Sequence, residues 1–225
     1  MEKLSKVVGI ISYLPDDVNK REHRLVKLTQ LIKDCNRLFD LPIIIIAQNW
    51  PDDLFKDEKN LIIHRYEKPL TIVGARKELR RVFLEEYNYD YLIMLDDDCE
   101  IVGNDATRYL KQIDDNPDCW ILTVWSELKL FAISRTIFAK TTYDDVREEY
   151  KEGWEDWVFL AKLTIFLPTQ KRWFKDTGLR DLSKTAADPY STWYKNDITM
   201  CELYSKTLDH IKKYDKNFTF DLIAK

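Results

Sequence analysis

The chain has 225 residues, with 35 Lys plus Arg against 39 Asp plus Glu and a formal net charge of −4. Hydrophobic residues at 45% and charged residues at 33% exclude a disordered or fibrous protein and predict one globular domain over residues 1–225. No apolar run approaches the ~20 residues of a membrane span, and Met1–Lys6 leads directly into a strand-like run without a small-residue cleavage site. A chain with no membrane span and no signal peptide is expected. Cys35, Cys99, Cys119 and Cys201 are scattered without a C-x-x-C pair, and there are only three histidines, which argues against a zinc finger and for a reducing, cytoplasmic setting. Charge is uneven. Residues 161–225 hold 12 basic and 8 acidic side chains, so the preceding 160 residues carry the acidic excess.

In chain order, Val7–Ser12 reads as a buried strand closed by Tyr13-Leu14-Pro15-Asp16-Asp17. Leu25, Leu28, Ile32, Cys35 and Phe39 recur at three- and four-residue steps and predict an amphipathic helix over 17–39. Pro42–Ala47 is a strand apolar on both faces. A polar loop, Gln48–Asn60, leads to a strand at Leu61–His64; Ala75, Leu79, Phe83 and Tyr87 space the next helix, and Tyr91–Leu95 is the fourth strand. Alternation of this kind predicts an α/β fold with a mostly parallel central sheet and right-handed crossovers. The second half predicts a helix over Asn104–Ile113, strands at Cys119–Trp125 and Phe131–Ser134, helical stretches at Asp144–Lys151 and Glu155–Leu163, and a terminal helix over Ser191–Tyr214.

Asp96-Asp97-Asp98 follows the fourth strand directly, where an open α/β sheet binds its ligands. Continued as extended chain, the triplet would turn Asp96 and Asp98 one way and Asp97 the other. Two carboxylates sharing a side repel unless a hard divalent cation accompanies them; the plain alternative is an acidic solvent loop. A second motif, Gly153-Trp154-Glu155-Asp156-Trp157, sets an acid pair among aromatic residues, as sugar-binding sites are often lined, and a carboxylate there can take a proton from an acceptor hydroxyl. The plain alternative is a glycine helix stop followed by acids that complement the next helix dipole.

Together these motifs resemble the GT-A-fold, nucleotide-sugar-dependent glycosyltransferases, closest in pattern to the inverting family-two enzymes. The resemblance runs from Val7 to about Leu163. It rests on the strand ending in Ser12, on Gly74-Ala75-Arg76 opening a helix, on Tyr89–Asp98 as the strand and D-x-D segment, on Leu130–Arg135 as the strand and turn before the acceptor site, and on Trp154-Glu155-Asp156 as the "ED" helix start.

The resemblance implies a single Rossmann-like GT-A domain with a C-terminal helix, residues 1–103 binding the nucleotide sugar and 104–225 the acceptor. Asp98 would ligate Mn²⁺ or Mg²⁺, with Asp96 beside it on the metal or the ribose and Asp97 in the same donor site. Arg76 would reach the nucleotide or its diphosphate. Ser12, Tyr13 and Leu14 would edge the base. Asp156 would be the general base and Glu155 would hold the acceptor, with Trp154, Trp157, Arg172 and Trp173 lining that side. The donor would be a nucleotide-diphosphate sugar, UDP-linked by preference, and the enzyme a hexosyltransferase-like monomer or weak oligomer. The chain departs from the pattern in placing Gln48-Asn49 where a base-reading Asp often ends the second strand, in placing Lys77 where Asn commonly follows the Arg, and in offering no clear match for a metal-ligating His, His210 falling inside the terminal helix.

For the acceptor, Lys171, Arg172, Lys175, Lys184 and Lys195 interleave with Trp173, Phe174, Tyr190, Trp193 and Tyr194, a pattern suited to a modified nucleic acid base or another polyanion. A core-packing aromatic set with solvated lysines explains it as well, and a glycan or lipid-linked sugar stays open. A Mg²⁺-dependent phosphotransferase or nucleotidyltransferase would want Ser/Thr and Lys partners or a Gly-rich loop, and the chain has only five glycines. A non-catalytic sugar-binding relative would keep the sheet without turnover.

Overall fold

The computed structural model describes residues 3–99, 101–103, 106–122, 130–144, 154–173 and 179–181, together with Asp209 and Lys212. Four parallel strands form one half of the main sheet: β1 (Lys6–Tyr13), β2 (Ile43–Gln48), β3 (Leu61–Tyr66) and β4 (Tyr91–Asp96). The other half is β7 (Phe131–Ser134), antiparallel to β4, then β6 (Trp120–Leu122), antiparallel to β7, and β8 (Lys171–Trp173), parallel to β6. The strand order is β3-β2-β1-β4-β7-β6-β8. A separate ribbon pairs β5 (Ile101–Gly103) with β9 (Leu179–Asp181), antiparallel.

Period-two alternation splits the sheet into two apolar faces. Val8, Ile10, Ile43, Ile45, Ile93 and Leu95 pack on one side with helix α1 (Val18–Leu38), which contributes Leu28, Leu31, Ile32, Cys35 and Leu38. Val7, Ile11, Ile44, Ile46, Leu92 and Met94 pack on the other with α2 (Ile72–Arg81) and α5 (Trp154–Phe166). Helix α1 starts where the Asp17 carboxylate accepts the Lys20 N–H at 2.9 Å, and α2 where the Thr71 hydroxyl accepts from Gly74 at 3.1 Å. Two shorter helices, α3 (Thr107–Asp114) and α4 (Arg135–Ala139), flank β6 and β7 in sequence.

Helix α2 comes unusually close to the sheet at Gly9. A methyl group there would meet Leu92 Cδ1 of β4 at 2.7 Å and Leu79 Cδ1 of α2 at 3.0 Å, so a larger residue would have to displace the tips of both leucines. Beyond Arg81 the helix widens into a π turn, Val82–Glu86. Carbonyls of this turn and of the segment after it are collected by one side chain. Arg135 donates to Phe83 O at 2.6 Å, Leu84 O at 2.9 Å and Tyr89 O at 2.8 Å, and to Tyr87 O, with its guanidinium 4.7 Å from the Phe83 ring centre.

The predicted elements differ from the observed ones mainly at short strands. β5, β8 and β9 have three residues each, too few to show a period. The expected helix over 104–113 is α3 at Thr107–Asp114, and the strand expected to reach Trp125 is described only to Leu122. The helix expected over 144–151, beyond Asp144 itself, and nearly all of that over 191–214 lie outside the described residues.

Candidate active site

The acidic triplet does not continue as extended chain. β4 ends at Asp96, and Asp97 and Asp98 form a turn closed by the Cys99 N–H donating to Asp96 O at 3.1 Å. Side-chain separation nevertheless survives the bend, because different arginines claim Asp96 and Asp97.

Asp97 belongs to the α1 side. Its Oδ2 accepts the Ser12 hydroxyl at 2.8 Å and the Tyr13 N–H at 3.2 Å, and Arg24 Nη1 lies 3.2 Å from Oδ1 and 3.3 Å from Oδ2. Burial pushes its carboxyl up to about 6, with Arg24 and Ser12 pulling the other way. The Trp50 indole N–H donates to Ser12 Oγ at 3.3 Å. Asp97 and Ser12 therefore fasten the exit of β1 to the end of β4, and Leu14 is wholly buried in the core on that side. Of the three residues expected to edge a base, only Tyr13 is partly exposed.

Gln48 ends β2 at 4% exposure, its Oε1 accepting the Leu70 N–H at 2.7 Å just before α2. Asn49 takes φ 57°, and its side-chain amide donates to Leu14 O and Asp16 Oδ1, both at 2.8 Å. The two residues thus tie the ends of β1, β2 and the α2 entry into one rim.

Asp96 belongs to the α2 side, where Arg76 is the centre. Arg76 is 1% exposed, and its Nη2 lies 2.8 Å from Asp96 Oδ1 and 3.3 Å from Asp156 Oδ1. One nitrogen with two hydrogens serves both acids, which puts those carboxylates within two hydrogen-bond lengths of each other. Asp156 lies in the first turn of α5, where the helix dipole favours negative charge. The Arg76 Nη2, on the residue expected to reach the nucleotide, donates to both acids. Glu155, Trp154 and Trp157 share that first turn, but their side chains lie outside those described, as does that of Trp173. Arg172 stands on β8, three strands from β4, and donates to Asn116 Oδ1 at 2.8 Å and Thr169 O at 2.9 Å, the ties of an edge strand.

Asp96 and Asp98 are hard oxygen donors, both partly exposed at the sheet rim, and suit a divalent cation of the Mg²⁺ or Mn²⁺ kind. Among the described residues no three His, Cys, Asp or Glu side chains gather closely enough to enclose a metal. The donor set fits an open site completed by substrate oxygens and water. Sequence reasoning missed Arg24, Trp50 and Arg135, whose partners are all remote in sequence and leave no local signal.

No protein-family model matches the chain, and no curated protein matches it in sequence. Its fold is shared. TarS of S. aureus, residues 1–349, matches with TM-score 0.54 and 11% identity over 95% of this chain and 73% of that one. The same protein in complex with UDP gives TM-score 0.57 and 12% identity, covering 95% and 73%. A putative nucleotide-diphospho-sugar transferase from Desulfovibrio desulfuricans G20 gives 0.52 and 11%, covering 93% and 97%. The chain folds like nucleotide-diphospho-sugar transferases. Its mixed, mostly parallel sheet with flanking helices is the GT-A architecture, and no described helix is long and apolar enough to cross a membrane.

Proposed function

We propose that the protein is a metal-dependent glycosyltransferase that moves a sugar from a nucleotide-diphosphate donor to an acceptor hydroxyl with inversion. The observation that carries this reading is the meeting of Asp96 and Asp156, sixty positions apart in sequence, on one buried guanidinium at the carboxyl end of the sheet. The solved complexes of TarS with UDP and with UDP-GlcNAc, which share this fold, favour a uridine-linked donor.

A divalent cation bound at Asp96 and Asp98 would supply Lewis-acid stabilisation of the departing diphosphate. The chain's own residues do the rest. The rim made by Tyr13, Gln48 and Asn49 receives the nucleoside. Asp156 takes the proton of the acceptor hydroxyl as its oxygen bonds to the anomeric carbon. The bond from that carbon to the phosphate oxygen breaks, and its electron pair leaves with the nucleoside diphosphate. Attack from the side opposite the leaving group inverts the anomeric centre.

Residues 1–103 would hold the donor and 104–225 the acceptor, a glycan, lipid-linked sugar or modified nucleic acid. Glu155, Trp154, Trp157, Arg172 and Trp173 are the acceptor-side candidates. Incubation with labelled nucleotide sugars and Mn²⁺ tests the reading. Chelator-sensitive release of nucleoside diphosphate, by hydrolysis or transfer, is expected. No release and no binding across a panel of nucleotide sugars would overturn it.

A further inference from the structure

We infer that Gln48 sets the base specificity of the donor site and that it reads by donating: its side-chain amide gives a hydrogen bond to a carbonyl oxygen of the uracil ring. The inference rests on the reading above and names the polarity with which that site chooses its base.

The strand order brings the base to this residue. Helix α1 leaves β1 on one face of the sheet and α2 approaches β4 on the other, so β1 and β4 flank the switch point where such sheets bind ligands. On the far side of β4, β7 runs antiparallel and brings its amino end to this rim. A diphosphate held at Asp96 and Asp98 therefore leaves its nucleoside to extend over the carboxyl ends of β1 and β2. Gln48 closes β2 opposite Tyr13 of β1, two strands or roughly 10 Å from β4. Ribose and diphosphate bridge a span of that kind.

The orientation of the amide fixes the polarity. The Leu70 N–H can only donate, so the Gln48 Oε1 that it meets at 2.7 Å is turned toward the α2 entry. The planar amide then turns Nε2 away from it. Gln48 is 4% exposed, yet no described residue accepts from Nε2. A donor in so buried a side chain is costly to leave without an acceptor, and the acceptor it lacks is one that a ligand brings. The neighbouring amide cannot stand in, because Asn49 gives its Nδ2 hydrogens to Leu14 O and Asp16 Oδ1. Uracil offers such a donor two carbonyl oxygens. Its imide N–H would meet a hydrogen instead of a lone pair. A carboxylate in this place would select the opposite way, for that N–H.

The test measures binding of UDP, 2-thio-UDP, 4-thio-UDP and pyrophosphate by calorimetry at saturating Mn²⁺ on the wild type and Gln48→Glu. It is run at about pH 8, where the introduced carboxyl is ionised. The substitution keeps an acceptor for the Leu70 N–H and replaces the outward donor by a carboxylate oxygen. UDP should bind the variant at least about tenfold more weakly, with pyrophosphate affinity unchanged to within about twofold. Sulfur is a weak acceptor, so the two thio analogues should differ by more than about twofold on the wild type and bind the variant alike. Unchanged or tighter UDP binding by the variant overturns the inference, because the residue then accepts from the imide or does not face the base. An equal loss of pyrophosphate also overturns it, since that loss traces to charge at the metal. Should Gln48→Glu not fold, the wild type decides: analogues within about twofold of each other overturn the inference. Absence of UDP binding by the wild type overturns it too, and absence of binding by every nucleoside diphosphate overturns the proposed function with it.

Discussion

The Ser12 hydroxyl donates to Asp97 Oδ2 at 2.8 Å across 85 positions of sequence. The middle acid of the triplet is thereby committed to holding the end of β1, and its neighbours are the ones left at the rim. Asp97→Asn should lower stability by about 1–3 kcal/mol, the cost of disturbing a buried, charge-assisted network. Urea unfolding checks this. Metal-dependent UDP binding should persist in the folded variant; its loss with an unchanged unfolding midpoint would place Asp97 among the ligands.

Asp98→Ala should do the reverse. Asp98 is partly exposed in the turn after β4, so its removal should leave the unfolding midpoint nearly unchanged. UDP binding in the presence of Mn²⁺ should be lost, and the wild type should lose it equally in excess chelator. Calorimetry on both proteins makes the comparison. Retained binding in chelator would remove the metal from the mechanism.

Asp156→Asn keeps shape and a hydrogen-bond acceptor for Arg76 but not a base. Turnover should fall by ~10²–10⁴. Donor affinity at saturating metal should change by about threefold or less. A parallel loss of donor affinity and kcat would make Asp156 a structural residue.

Arg135 is the hub of the π turn after α2, donating to four backbone carbonyls with Phe83 against its guanidinium plane. Arg135→Met leaves those carbonyls to find other donors and should cost roughly 2–4 kcal/mol. The Mn²⁺ affinity of the folded fraction should stay at the wild-type value. A loss below about 0.5 kcal/mol in thermal or urea unfolding would show that solvent satisfies the turn.

Lys171 gives a pH signature away from the site. Burial pulls its ammonium down to about 8 from the ordinary 10.5, with Nζ 5.6 Å from the Trp120 ring centre. Below about 8 both folded and unfolded chains hold the proton and the penalty is complete. Between about 8 and 10.5 the unfolded chain holds more protons, so this group's contribution to stability rises with pH. Lys171→Met should therefore stabilise the protein near pH 7 by about 1–2 kcal/mol, after allowance for partial solvent screening. The gain should shrink as pH rises from about 8 and vanish only above 10.5 in unfolding curves. A gain that does not vary with pH would trace to packing alone.

The fold was readable where residues repeat with a period. β2 is six apolar-to-polar residues buried on both faces, and the spacing from Leu28 to Leu38 gives α1 its core stripe. Phe131–Ser134 falls where its apolar run predicts a strand. What escaped was decided between distant residues. Nothing local in Arg24, Arg76 or Arg135 distinguishes a buried counter-ion or a carbonyl clamp from an ordinary helix arginine, because each partner lies many residues away. The triplet shows the same limit in reverse. Its composition pointed to a strand end, but its orientation was set by the turn to Cys99 and by Ser12, not by strand alternation.

Gly9 stands mid-strand, well inside the sheet, yet it governs how the rim is drawn. Leu79 packs over it one helical turn after Arg76, so the tips of two leucines fill the room that a methyl would need behind the arginine. An alanine there would first have to move the ends of Leu92 and Leu79. For anyone recasting this scaffold to new donors, the packing behind the arginine is thus a place to work that no ligand would touch.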